Sequence, residues 1–305
     1  MAIYPSIHWG LLTAGLLTGL VLPMQEASAQ TLERIAKSGQ LTLGYIDGVA
    51  PMSSRGADGQ MAGYGADLCQ AVADAVKAKL PQRAVTVRYV PVASEDAVDK
   101  VANGGVDLLC TPTAETLKRR EHVSYSIPVL NGGIAVLIRQ DASKQLRDVV
   151  NGQAPVTGPV WRATANGGRV KHTYAVREGT LAEDWARAKS RLLGVTVSTI
   201  KVQDDAKGIA LVQAKQADAY FGERVLLEQY VARNQLGKEL LVAKRVLNTE
   251  LLGLAMARND DDFRLLVDRA LSQLYLSKTF PAVYARYFGG WEEPTKLAFE
   301  GWVRP

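Results

Sequence analysis

The stretch CTPTAETLKRRE, residues 110–121, places three threonine hydroxyls and a proline carbonyl just ahead of three consecutive cations, Lys118, Arg119 and Arg120. It follows the apolar pair Leu108 and Leu109, so it stands at the end of a buried-looking strand. One reading is a strand, a turn and the solvated start of a helix. The other is a cup for a small anion, built from strand-end hydroxyls, backbone groups and one arginine, since a guanidinium fork meets a carboxylate through two parallel bonds where an ammonium cannot. Further along, Thr180 and Glu183 have the spacing of a capping box, which places a helix N-terminus, with its free N–H groups and positive dipole end, just after Gly179.

Other chemistry is thinly represented. Three histidines and two cysteines make a metal centre unexpected. There is no Ser-His-Asp or Cys-His constellation, and no basic stripe interleaved with aromatics of the kind nucleic acid requires. No cofactor is expected.

The elements that must position these residues alternate. A short helix and a Ser-Gly break precede the strand LTLGYI (41–46), and the helix 63–80 sets Leu68, Ala71, Val72 and Ala75 on one face. Strand 84–92, a helix from Ser94 to about Asn103 and strand 104–110 complete a β-α-β-α-β rhythm, which implies a parallel sheet with crossover helices. The run VLNGGIAVLIRQD (129–141) breaks the pattern. A second unit follows with strand 171–180, helix 181–194, strand 195–202, helix 206–216 and strand 217–222. TELLGLAMARND (249–260) mirrors 129–141, and two helices close the chain. Two α/β lobes joined by two crossings result, the first lobe assembled from both chain ends.

The composition, 47% hydrophobic and 22% charged in 305 residues, allows two folded domains and excludes a disordered chain. The formal charge of +5 is spread along the sequence, so it suits anionic solutes without naming one. The apolar run 11–22 ends at Pro23, is too short to span a bilayer comfortably, and leads to ASA at 27–29. This reads as a cleavable signal with cleavage after Ala29 and a periplasmic mature protein, although no Lys or Arg precedes the run.

The order of elements and several loose motifs together resemble the periplasmic solute-binding proteins, family 3, which bind polar amino acids for ABC importers. The motifs are DGQMAGYGADLCQAV, GGVDLLCTPTAETLKRREHVSYS, VREGTLAED and ADAYFGERVLL, spread over about 31–290. The glutamate/aspartate and general amino-acid branch is the most similar. The resemblance implies a type II two-lobed fold, with each lobe a doubly wound, mostly parallel sheet and the two crossing strands as hinge. The lobes comprise 30–135 with 252–305, and 136–251.

It also implies a ligand-binding set. Arg119 matches the arginine that forks onto the ligand α-carboxylate, leaving Arg120 as a solvated neighbour. Thr113 lies beside it, Ala114 stands where relatives carry a hydroxyl and keeps only the backbone N–H, and the Pro112 carbonyl can accept from the ligand ammonium. From the second lobe come Thr180 and Glu223, the latter matching the acid that pairs the ammonium. The alternative for Glu223 is an exposed ion pair with Arg224.

Selectivity rests on Ser94, on Ala97 where the dicarboxylate branch has arginine, on Val49 or Met52 in place of an aromatic, and on Asp205. Asp205 either favours a ligand bearing a donor or a positive charge, or caps the following helix. Cys69, in the first turn of its helix, and Cys110, at its strand end, are either two buried thiols or a disulfide, which an oxidising compartment favours.

The function so implied is a monomeric, non-enzymatic receptor that closes on a small amino acid and delivers it to a membrane permease. The alternative is a cyclohexadienyl (prephenate/arogenate) dehydratase-like enzyme on the same fold, using a pocket carboxyl as general acid.

Overall fold

The computed structural model describes residues 31–153, 171–189 and 196–304. The signal segment expected over 1–29, most of the Gly/Pro/Asn-rich loop and the end of the helix read over 181–194 lie outside the described residues.

Along the chain run α1 (Thr31–Ser38), β1 (Gln40–Ile46), β2 (Ser54–Arg55), β3 (Met61–Ala62), α2 (Tyr64–Lys79), β4 (Thr86–Val92), α3 (Ala97–Ala102), β5 (Leu108–Ala114), α4 (Leu117–Arg120), β6 (Val123–Tyr125) and β7 (Leu130–Arg139). Then come α5 (Lys144–Val150), β8 (Lys171–Arg177), α6 (Leu181–Lys189), β9 (Thr196–Val202), α7 (Asp205–Gln213), β10 (Ala219–Glu223) and α8 (Arg224–Arg233). The chain finishes with β11 (Leu240–Val242), β12 (Asn248–Ala257), α9 (Asp261–Leu276), α10 (Phe280–Phe288) and α11 (Glu293–Trp302).

The strands line up as β4-β1-β5-β12-β7-β10-β8-β9. β4, β1 and β5 are parallel, as are β10, β8 and β9, while β12 runs antiparallel to β5, β7 antiparallel to β10, and the two crossings antiparallel to each other. Each lobe is therefore a parallel sheet edged by one crossing strand. The two crossings are joined by the register Leu130–Ile134 against Leu252–Asn248.

The second lobe shows why its strands read as unbroken apolar runs. Along β7, Ile134, Val136 and Ile138 enter one cluster with Tyr174, Val176 and Phe221, while Ala135 and Leu137 enter another with Ile209, Tyr220 and Leu227. Successive side chains point to opposite faces and both faces carry helices, so every position is buried. Each such Val, Leu or Ile contributes about 1.5–3 kcal/mol by leaving water.

The first lobe gathers both chain ends around one larger cluster, from Ile35 to Phe299. Asp260 ties the ends together, its carboxylate accepting from Thr31 N (2.8 Å) and capping α9 at Phe263 N (3.2 Å). The C-terminal segment, to which the sequence assigned no element, forms α11. It packs Phe299 against Phe280 and Trp291, with ring centroids 4.9 and 5.3 Å away.

Element limits differ from the sequence reading in informative places. Ser94 does not cap a helix, because α3 begins three residues later behind Asp96. β5 extends to Ala114, since Pro112 keeps its carbonyl and its missing donor costs little so close to the strand end. This moves Cys110 into the strand and leaves Cys69 in the second turn of α2. The two are nevertheless bonded as a disulfide, with Cα atoms 5.9 Å apart, because α2 lies flat across β5.

Candidate ligand-binding cleft

Between the lobes lies a cavity of about 90 Å³, room for a small ligand. Its lining includes Ser94, Pro112, Thr113, Ala114, Arg119, Thr180, Asp205 and Glu223, so all eight residues picked from the sequence reach one place. Val49, Met52 and Ala97 line it too, leaving the first-lobe wall apolar where several relatives were expected to carry an aromatic and the dicarboxylate branch an arginine.

The first-lobe wall is the C-terminal half of β5. Thr111 is fixed below the cleft, its Oγ1 accepting from Ile46 N at 2.8 Å and lying 2.7 Å from Ser53 Oγ. Thr113 Oγ1 is buried and has no partner, which leaves a hydroxyl available to whatever enters. Thr116 caps α4 by accepting from Arg119 N (3.1 Å), and this turn swings the Arg119 side chain inward. Its Nη1 donates to Ala114 O (3.0 Å) and its Nη2 to Gly179 O across the cleft (3.3 Å). Arg120 is exposed and pairs with Glu115 at 3.1 Å.

The second-lobe wall begins at the turn from β8 into α6. Thr180 Oγ1 donates to Arg177 O (2.7 Å) and accepts from Glu183 N (3.4 Å), while Glu183 accepts from Gly179 N (3.0 Å). The capping box thus forms and aims the α6 N-terminus at the cleft. Gly179 has φ +73°, and a Cβ there would come within 3.0 Å of the Glu95 backbone. Only glycine suits this turn, where the lobes touch.

Asp205 is not the helix cap. Asp204 caps α7 by accepting from Lys207 N at 2.7 Å. Asp205 instead accepts from Arg177 Nη1 (3.0 Å) through one oxygen and from the Tyr220 hydroxyl through the other. Both oxygens are therefore engaged, and the Arg177 charge is matched inside the wall. The sequence reading had no role for Arg177, whose only signal was a cation at a strand end in phase with apolar Ala175.

Glu223 closes the far side. Its Oε1 accepts from Gly133 N at 2.6 Å, and burial, with Glu250 and Asp205 adding to it, pushes the carboxyl up to about 8. It does not pair with Arg224, which binds Glu228 (2.8 Å) and Lys244 O (2.9 Å) instead. Glu250 also lines the cleft and was missed. Burial lifts it to about 7 against the pull of Arg119, and its Oε2 has no partner.

A pair of α/β lobes, each a parallel sheet, meeting at a cleft whose polar groups come from strand ends and a helix N-terminus, defines a binding-protein fold. The model of the bacterial extracellular solute-binding proteins, family 3, matches residues 41–290, and the chain belongs to that family. An L-glutamate/L-aspartate-binding protein of Pseudomonas aeruginosa is 26% identical over 289 residues, covering 94% of this chain and 89% of its own. A glutamate/aspartate import solute-binding protein of Salmonella typhimurium is 22% identical, covering 91% and 86%.

Among solved structures, a substrate-binding protein of an ABC uptake transporter from Streptococcus pneumoniae, with bound histidine, superposes with a TM-score of 0.70. It is 17% identical and covers 86% of this chain and 97% of its own. An ancestral amino acid-binding protein described as a precursor of cyclohexadienyl dehydratase superposes with a TM-score of 0.67 at 22% identity, over 85% and 100%. These likenesses bear out the type II fold. Among the described residues no helix is long and apolar enough to cross a membrane.

Proposed function

We propose that this protein is the receptor of an ABC importer and closes its lobes, 30–135 with 252–305 and 136–251, on a single small amino acid. The observation that carries the reading is that a guanidinium, Arg119, and a carboxyl, Glu223, face one small cleft from opposite lobes. An α-amino acid presents the matching pair of charges. Its carboxylate meets Arg119, the backbone N–H of Ala114 and the Thr180 cap, and its ammonium meets Glu223 and the Pro112 carbonyl. Ala97, Val49 and Met52 supply apolar contacts, and the Arg177 charge is already matched by Asp205. The cleft therefore favours an uncharged side chain over the dicarboxylates named for its relatives. The partner is a membrane permease, the site of action the periplasm, and the mature chain a monomer starting at Gln30.

Native mass spectrometry of freshly purified protein, followed by calorimetry with all L-amino acids, tests this. A tightly held amino acid recovered unchanged supports the receptor. A panel with no binder overturns it.

A second reading has one observation in its favour. A carboxyl held near 8, as Glu223 is, stays protonated at neutral pH and can act as a general acid. In a dehydratase it would protonate the leaving hydroxyl of prephenate or arogenate as carbon dioxide departs and the ring becomes aromatic. Release of carbon dioxide from either compound would establish it, and intact recovery of both would remove it.

A further inference from the structure

Glu250 and Glu223 are 27 residues apart in sequence, and sheet register brings them together. Glu223 pairs with Ile134 and Glu250 with Gly132, on opposite sides of β7. Directly paired residues share a face, as do residues two apart on one strand, so both acids and position 132 point the same way. Residue 132 has no side chain to separate them. A Cβ there would lie 2.9 Å from Leu252 and 3.1 Å from Glu223 Oε1, so the glutamate carboxyl occupies the space that glycine vacates.

The charged groups around the pair are few. Arg119 lies on the Glu250 side and Asp205 on the Glu223 side, while Glu223 also accepts backbone N–H bonds from Gly133 and Arg224. Glu115, next to Leu251 through its backbone, turns its carboxylate to Arg120. Glu250 is left with a buried oxygen that bonds to nothing, facing a cleft. An unpartnered buried carboxyl is costly, and its persistence at a binding site points to a ligand group that completes it.

We propose that Glu250 is the second acid of the ammonium seat, so that the ligand's primary ammonium is held between Glu223 and Glu250 above Gly132. The proposal rests on the amino-acid reading and deepens it, since it assigns the ammonium two acids in place of one. Burial disfavours the charged form of both acids, and Glu250 adds to the effect at Glu223, so the seat retains protons before a ligand arrives. A positive charge between them favours the ionised forms, and binding at neutral pH expels a proton to solvent. The recognised class is narrow: an unsubstituted α-ammonium, whose three donors can reach both carboxyls and the Pro112 carbonyl.

The test is calorimetry at pH 7 in phosphate and in Tris, buffers with different heats of ionisation. It uses the amino acid found by the panel and the corresponding acid lacking the amino group, with the intact protein and Glu250→Gln. Proton release on binding the amino acid is expected, and the variant should lower both the release and the affinity, the latter about tenfold or more. The des-amino acid should bind both proteins equally. An equal loss for the two ligands, or none for either, overturns the seat while leaving the receptor reading intact. A panel without any binder overturns both.

Discussion

Arg119 bridges the two lobes, donating to Ala114 O on its own side at 3.0 Å and to Gly179 O on the other at 3.3 Å. A carboxylate entering the cleft would meet a guanidinium already oriented by these bonds and by the Thr116 cap. The fork geometry of guanidinium and carboxylate makes this contact directional as well as charged.

Arg119→Ala should therefore weaken ligand binding by about 2–5 kcal/mol, because it strands a buried carboxylate. Arg119→Lys should also be impaired, since a point charge cannot reproduce the two-pronged contact. Arg120→Ala, whose parent side chain is exposed on Glu115, should change affinity little. Calorimetry on the three variants decides, and equal small effects at 119 and 120 would reduce the basic run to a solvated helix face.

The two cleft acids predict a pH dependence of the ligand-free protein. Glu223 titrates near 8 and Glu250 near 7 in the folded chain, both above the ordinary 4.5. The folded state then holds more protons than the unfolded state between these values, so stability falls as pH rises from about 4.5 toward 8. Urea midpoints across that range should decline, and Glu223→Gln should flatten the decline. A midpoint that rises with pH in the parent but not in Glu223→Gln would contradict the assignment.

The Cys69–Cys110 bond closes a loop across a separation of 41 residues and holds α2 on the strand that carries Thr113. Its loss should cost about 2–4 kcal/mol, mainly by freeing the unfolded chain. Cys69→Ser with Cys110→Ser should lower the Tm, and the denatured, unreduced parent should show no titratable thiol. Two reactive thiols would rule the bridge out.

Asp205 and Arg177 form a buried pair with side chains 13% and 10% exposed. Asp205→Ala leaves a guanidinium without its counter-charge and should destabilise by about 3–5 kcal/mol. The double change Arg177→Met with Asp205→Leu should recover much of that loss. Urea unfolding of the parent, the single and the double variant measures it, and a double variant no more stable than Asp205→Ala would show that the lone guanidinium is not the source of the loss.

Local pattern alone sufficed for the alternation of strands and helices, because apolar period and turn residues act within a few positions. The Thr180–Glu183 capping box was legible for the same reason, as was the cation run after β5. The mirrored runs at 129–141 and 249–260 announced the two crossings, and the family's ordered motifs carried Arg119 and Glu223 to the cleft.

Register was not legible, and the site depends on it. Glu250 meets Glu223 only because β12, β7 and β10 pair in one alignment and Gly132 leaves a gap between them. A one-residue slip would turn either acid to the other face. The sequence held a single faint sign: Glu250 is in phase with the buried Leu252 and Leu254, an acid on an apolar face. Likewise Asp205 looked like a cap until Asp204 took that role. Which of two adjacent aspartates turns inward is decided by Arg177 and Tyr220, residues brought by other strands. Short-range chemistry determines which elements form, while the partners of a buried charge are chosen by contacts between elements far apart in the chain.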